Sequence, residues 1–167
     1  MDAPEPQALV TRTATEMQRL RATLAVAESL TGGLIGARLT QRSGASAYFR
    51  GAVVCYATEV KERVLGVSPH LLATRGAVDP MVAQALALGV RQVLTAGYGL
   101  AVTGVAGPDP QDGVAPGTVY VAVCDPEGEV SSVTVAARGN REDVREQAVH
   151  AALELLVTVL ERAPAAA

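Results

Sequence analysis

A three-layer α/β/α domain built on a mixed, mostly parallel sheet is the fold class this sequence predicts, and three observations predict it. Apolar strand-like runs alternate with amphipathic helical stretches over roughly the first hundred residues, the pattern of βα units. Two alternating segments, Thr118 to Cys124 and Val130 to Ala136, flank the turn Asp125-Pro126-Glu127-Gly128 and read as an antiparallel hairpin. With 167 residues, 49% of them hydrophobic and 19% charged, the chain has material for one core, so 1–167 reads as a single domain without internal repeats.

The elements follow in order. Val10, Ala14 and Met17 recur at helical spacing, which predicts an amphipathic helix from about Glu5 to Leu20. Thr23 to Ala27 reads as a buried strand, followed by a helix over Thr31 to Gln41 that turns Leu34, Ile35 and Leu39 inward. Gly51 to Tyr56 is a second strand, and Thr58 to Leu65 a short helix with Thr58 as its N-cap and Gly66 as its stop. Asp79-Pro80 pairs a cap with a first-turn proline and opens a buried helix that runs to about Thr95. Tyr98 to Thr103 is a strand entering a glycine-rich loop. After the hairpin, Asn140 caps a long helix whose inner face carries Val144, Ala148, Ala151, Leu155 and Val159, and residues 163–167 should fray.

Composition narrows the function classes. Aromatic residues make up 3% of the chain and the formal charge is −3, so there is neither a stacking platform nor a Lys/Arg block for nucleic acid. No apolar run approaches the roughly 18 residues of a membrane span. The N-terminus is acidic where a secretion signal would be basic, so a soluble, cytoplasmic protein without membrane or nucleic-acid partners is expected. Cys55 and Cys124 lie far apart in apolar runs and read as buried free thiols. No His, Cys, Asp and Glu cluster has metal-ligand spacing, and neither a metal nor another cofactor is expected.

Three loops sit at strand ends, Glu28 to Gly33, Tyr56 to Lys61 and Thr103 to Pro108, and in a parallel sheet such loops share one edge. Ser29 then has two readings, a helix cap or a nucleophile. Neither histidine suits the role of its base: His70 follows Ser68-Pro69 at a loop or helix start, and His150 lies within the last helix. Lys61 is the other candidate, provided that burial lowers its pKa from about 10.4; the alternative is a solvated lysine between Glu59 and Glu62. Arg141 and Arg145 share a face near a helix N-terminus, where they would hold a phosphate or carboxylate or else form ion pairs with Glu142 and Asp143. Gly104 and Gly107 suit a loop whose amides face a ligand.

Taken together, the segments AESLTGG at 27–33, SGASAYFRGAVVCYATEVK at 43–61, GAV at 76–78, TGVAGPDP at 103–110, PGTVYVAV at 116–123 and GNREDVREQA at 139–148 resemble the C-terminal domain of the competence/damage-inducible CinA family. That domain is similar to the stand-alone nicotinamide-nucleotide amidases. The resemblance implies hydrolysis of the carboxamide of nicotinamide mononucleotide to nicotinate mononucleotide and ammonia. It implies Ser29 as nucleophile, with Ser46 as second candidate, Lys61 as base and Tyr56 as a hydrogen-bonding helper. Thr31, Gly32, Gly33, Thr103, Gly104 and Gly107 would then shape the ligand crevice, and Arg141 or Arg145 would meet the phosphate. Glu28 is a further, weaker candidate as counter-charge to the pyridinium. Relatives imply a homo-oligomer, a dimer or higher.

Two departures stand out. The family pattern usually has Asn where this chain has Thr58, and its paired glycines and Lys-Pro-Val-Gly become residues 110–117, Pro-Gln-Asp-Gly-Val-Ala-Pro-Gly. The second departure raises an alternative, a nucleotide-binding module that has kept the fold and lost turnover.

Overall fold

The structure, a computed structural model, describes residues 5–165. Eleven named elements succeed one another: α1 (Pro6–Leu20), β1 (Leu24–Glu28), α2 (Leu34–Thr40), β2 (Phe49–Val54), α3 (Thr58–Leu65), α4 (Pro69–Arg75), α5 (Pro80–Val93), β3 (Tyr98–Gly104), β4 (Thr118–Cys124), β5 (Val130–Ala136) and α6 (Arg141–Arg162). A single 3₁₀ turn, Ala45–Ala47, precedes β2. The sheet order is β2-β1-β3-β4-β5. β1 pairs parallel with β2 and β3, whereas β4 pairs antiparallel with β3 and β5, so β4 alone runs against the other four strands.

Alternation along the strands sets the two covering layers. Leu24, Val26, Leu100, Val102, Val119, Val121 and Val123 face α1, α2 and α6 in one core. Ala25, Ala27, Ala101, Ala122 and Cys124 face the opposite way, toward α3, α4 and α5. Small side chains on that second face bring α5 close to the sheet: a Cβ on Gly99 would run into the Ala87 carbonyl oxygen of α5. β1 and β3 are buried along their whole length, as strands covered on both faces must be.

The predicted order of strands and helices stands, with shifts at several ends. The second strand lies two residues earlier than expected and stops at Val54, because β1, which it pairs with, ends at Glu28. Thr58 is the first helical residue of α3 and Ala57 is the N-cap, with no side-chain capping bond, so Thr58 does not cap this helix. Asp79 does cap α5, accepting from the Met81 amide. Asn140 accepts from the Glu142 and Asp143 amides while Asp143 accepts from the Asn140 amide, a reciprocal cap that stabilises by on the order of 1 kcal/mol. Helix α6 ends at Arg162; the last two residues of the expected frayed tail lie outside the described residues.

Candidate active site

Register places the site. Glu28 is level with Val54 on one side and with Val102 on the other, so Ser29 and Cys55 leave β1 and β2 side by side, level with Thr103 near the end of β3. The backbones stay joined one residue further: the Ser29 amide donates to the Val102 carbonyl at 3.2 Å, and the Cys55 amide to the Glu28 carbonyl at 2.8 Å. Lys61 descends onto this edge from the first turn of α3 and is 1% exposed. Its Nζ lies 3.0 Å from Ser29 Oγ, 2.6 Å from the Cys55 carbonyl oxygen and 3.4 Å from that of Tyr56.

Burial pushes the Lys61 pKa below the ordinary lysine value. The three neighbours suit both protonation states. An ammonium has three donors for three acceptors; a neutral amine keeps two donors for the two carbonyls and turns its lone pair to the Ser29 hydroxyl. Cys55 supplies only its backbone here, and burial pushes its buried free thiol up.

The turn after Ser29 explains why that hydroxyl is free of capping. The N-cap of α2 is Gly33, at φ 103°, a conformation in the left-handed region that favours glycine. The capping acceptor is the wholly buried Glu28 carboxylate, which receives the amides of Gly33, Ile35 and Gly36 at 2.9 to 3.1 Å and the Thr31 hydroxyl at 2.7 Å. Sequence reasoning missed this role, although Glu28 closing an apolar strand just before a glycine-opened helix was its signal.

A cavity of about 380 Å³ opens on this edge, within the range of small-molecule sites. Ser29, Tyr56, Gly104, Gly107 and Arg141 are on its wall, together with Pro108 to Gln111. Arg141 bridges it, donating to the Gly107 carbonyl at 2.6 Å and to the Tyr56 hydroxyl at 2.9 Å. A larger groove of about 1080 Å³, between β5 and α6, holds His150 and Glu154 but no comparable nucleophile and base.

Other expected site residues stand elsewhere. Thr31 and Thr103 are buried, and Thr103 donates its hydroxyl to the Ala77 carbonyl at 2.8 Å, fastening the 76–78 segment to β3. Gly32 and Gly33 shape the turn without lining the cavity. Glu28 points into the α2 amides, so it is not placed as a counter-charge in the crevice. Ser46 is exposed in the 3₁₀ turn before β2, at the opposite end of that strand from Tyr56, and is not part of the crevice. Arg145 donates to the carbonyls of Leu30 and Thr31 and does not line the cavity. His70 is exposed at the start of α4, and His150 lies in the β5–α6 groove. Among the described residues no group of His, Cys, Asp and Glu is arranged to hold a metal ion, and no helix is long and apolar enough to cross a membrane.

An open α/β sheet that delivers a serine to the wall of a crevice, with a buried lysine hydrogen-bonded behind it, defines the class of the domain. Comparison with known proteins narrows it. A family model described as the CinA C-terminal domain matches residues 6–160, and the chain belongs to that family. It is 52% identical over 143 residues to a CinA-like protein of Frankia casuarinae, a match covering 86% of this chain and 33% of that one. It is 42% identical over 139 residues to a putative competence-damage inducible protein of Halalkalibacterium halodurans, covering 83% and 33%. The chain thus spans about a third of the length of these curated relatives. Among solved structures, a CinA superfamily protein of Klebsiella pneumoniae superposes with a TM-score of 0.91 at 30% identity, covering 96% of this chain and 100% of the other. The competence/damage inducible protein CihA of Agrobacterium tumefaciens does so with 0.89 at 32%, covering 97% and 99%.

Proposed function

We propose that this domain is an amidohydrolase that converts nicotinamide mononucleotide to nicotinate mononucleotide and ammonia, with Ser29 as nucleophile and Lys61 as base. The observation that carries the reading is the buried Lys61 amine 3.0 Å from the Ser29 hydroxyl. A carboxamide is a poor electrophile, so its hydrolysis needs an activated nucleophile and an acid for the departing nitrogen. Lys61 takes the hydroxyl proton as Oγ bonds to the carboxamide carbon, then returns it to the nitrogen as the C–N bond breaks and ammonia leaves. A water that gives one proton to Lys61 next attacks the acyl-serine; Lys61 passes that proton to Ser29 Oγ as the acyl bond breaks, and the acid leaves as carboxylate, its remaining proton going to solvent.

Arg141, on the cavity wall, is the cation suited to the nucleotide phosphate. Tyr56 acts at two points in this reading: its carbonyl receives a hydrogen bond from Lys61, and its hydroxyl one from Arg141. Incubating the purified protein with nicotinamide mononucleotide and assaying ammonia tests the proposal. No release above background from neutral to alkaline pH would sink it, and full activity in Ser29→Ala would remove Ser29 from its role.

A second reading, nucleotide binding without turnover, is favoured by one observation. Pro110 and Gln111, which begin the segment that departs from the family pattern, lie on the cavity wall. Heat of binding in a calorimeter without ammonia release would select it.

A further inference from the structure

The two arginines of the α6 N-terminal face do different things. Arg141 lines the cavity, whereas Arg145, one turn on and half-buried, turns its guanidinium onto the segment that carries the serine. Nε donates to the Leu30 carbonyl at 3.0 Å and Nη2 to the Thr31 carbonyl at 3.0 Å. These are successive carbonyls, starting one residue after Ser29. The Glu28 carboxylate holds the other polarity of the same turn, through the amides of Gly33, Ile35 and Gly36. The turn is therefore gripped by a carboxylate on its N–H groups and by a guanidinium fork on its C=O groups. Gly32, at φ 61°, donates its amide to the Ser29 carbonyl at 3.1 Å and closes the turn on itself.

From this we infer that Arg145 is a positioning residue, which fixes the Ser29 turn in the geometry that Lys61 requires, and is not a ligand of the substrate's anion. The inference rests on the Ser29–Lys61 reading above. Two facts argue for it over anion binding. The Nε–Nη2 edge, one of the two by which a guanidinium grips an anion bidentately, is already spent on the two carbonyls, so binding an anion through it would release the turn. Arg145 is also absent from the cavity wall that Ser29 and Arg141 share. The fork geometry matters as much as the charge, because a lysine's single ammonium does not reproduce a planar fork set against two successive carbonyls.

The test uses Arg145→Lys and Arg145→Gln with two readouts. Steady-state ammonia release should show kcat lowered roughly tenfold to hundredfold in both variants, as displacement of a nucleophile by about 1 Å would cause. KM should stay within about threefold, because ground-state binding is untouched. The second readout needs no amide substrate: a fluorophosphonate probe bonds its phosphorus to Ser29 Oγ, loses fluoride and leaves the hydroxyl proton on Lys61. Its labelling rate should fall by the same factor in both variants, with Ser29→Ala as the unlabelled control and thermal unfolding showing that each variant is folded. If Arg145→Gln does not fold, Arg145→Lys carries the test. A raised KM at unchanged kcat, relieved in the lysine variant, would make Arg145 an anion ligand and overturn the inference; so would labelling indifferent to both substitutions. A wild-type protein that neither labels at Ser29 nor releases ammonia instead removes the Ser29–Lys61 reading itself, and the inference with it.

Discussion

Arg141 donates to the Tyr56 hydroxyl at 2.9 Å, which ties the first residue of the last helix to the residue pair following β2 across the mouth of the crevice. The phenol oxygen therefore orients a cation, while the carbonyl of the same residue faces Lys61. Tyr56→Phe removes the acceptor and keeps the carbonyl. In the proposed reaction its KM for nicotinamide mononucleotide should rise by about threefold to tenfold with kcat little changed, and Arg141→Ala should raise KM further. A fall in kcat at constant KM would place the phenol in the chemistry instead.

Replacing Lys61 by Met should lower kcat/KM by about 10²-fold to 10⁴-fold, the range of a lost general base. The wild-type profile carries the sign. Under the proposed mechanism the unprotonated amine is the base, so activity rises with pH, and because burial lowers the Lys61 pKa the midpoint of that rise should lie below about 10.4, the ordinary lysine value. A rate that is flat with pH, or that climbs only beyond that value, contradicts the assignment.

The same lowered pKa has a stability consequence. Between the Lys61 pKa in the folded protein and about 10.4, the unfolded chain holds a proton on this residue that the folded chain has released, so folding becomes more favourable as pH rises. Chemical denaturation of wild type and Lys61→Met at several pH values isolates the effect. Wild type should gain stability relative to the variant across that window, and below it the difference should be constant.

Glu28→Gln turns one acceptor oxygen into a donor opposite amides that only donate. Leaving buried donors unpaired should cost about 3 kcal/mol, read as a lowered denaturant midpoint. Activity should fall in the fraction that remains folded, since the serine turn loses one of its two fasteners. A variant as stable as wild type would show that the carboxylate's charge and pairing are dispensable.

Gly99→Ala tests the small-residue face of the sheet. The added Cβ meets the Ala87 carbonyl oxygen and lies 2.8 Å from the Arg91 Cβ, both on α5, so the helix must move out. A loss of about 1–3 kcal/mol on denaturation is expected, as for an overpacked core.

The architecture was legible because it is written in local periodicity. Alternation in 118–124 and 130–136 around a proline turn fixes the hairpin, and Asp79-Pro80 and Asn140 mark two helix starts by capping chemistry that depends on neighbouring residues only. Boundaries drifted where a distant strand decides them. Nothing near Cys55 announces the end of β2; it ends where β1 no longer offers a partner. Thr58 looked like a cap because threonine before a helix usually is one, and here Ala57 takes that place.

Around the site the division is finer. The sequence by itself determined which chemical groups were available: a serine at one strand end, a lysine in the short helix after the next strand, glycine turns, and two arginines a helical turn apart. The tertiary structure alone decided what each does, because pKa, hydroxyl orientation and charge pairing depend on groups distant in the chain. It buried Lys61 beneath the Cys55 and Tyr56 carbonyls and set it beside Ser29, 32 positions earlier. It gave the capping of α2 to Glu28, which left the Ser29 hydroxyl for Lys61. Two arginines that look equivalent in sequence diverged for the same reason: Arg141 found the crevice, and Arg145, one turn along the helix, found the backbone of the turn behind it.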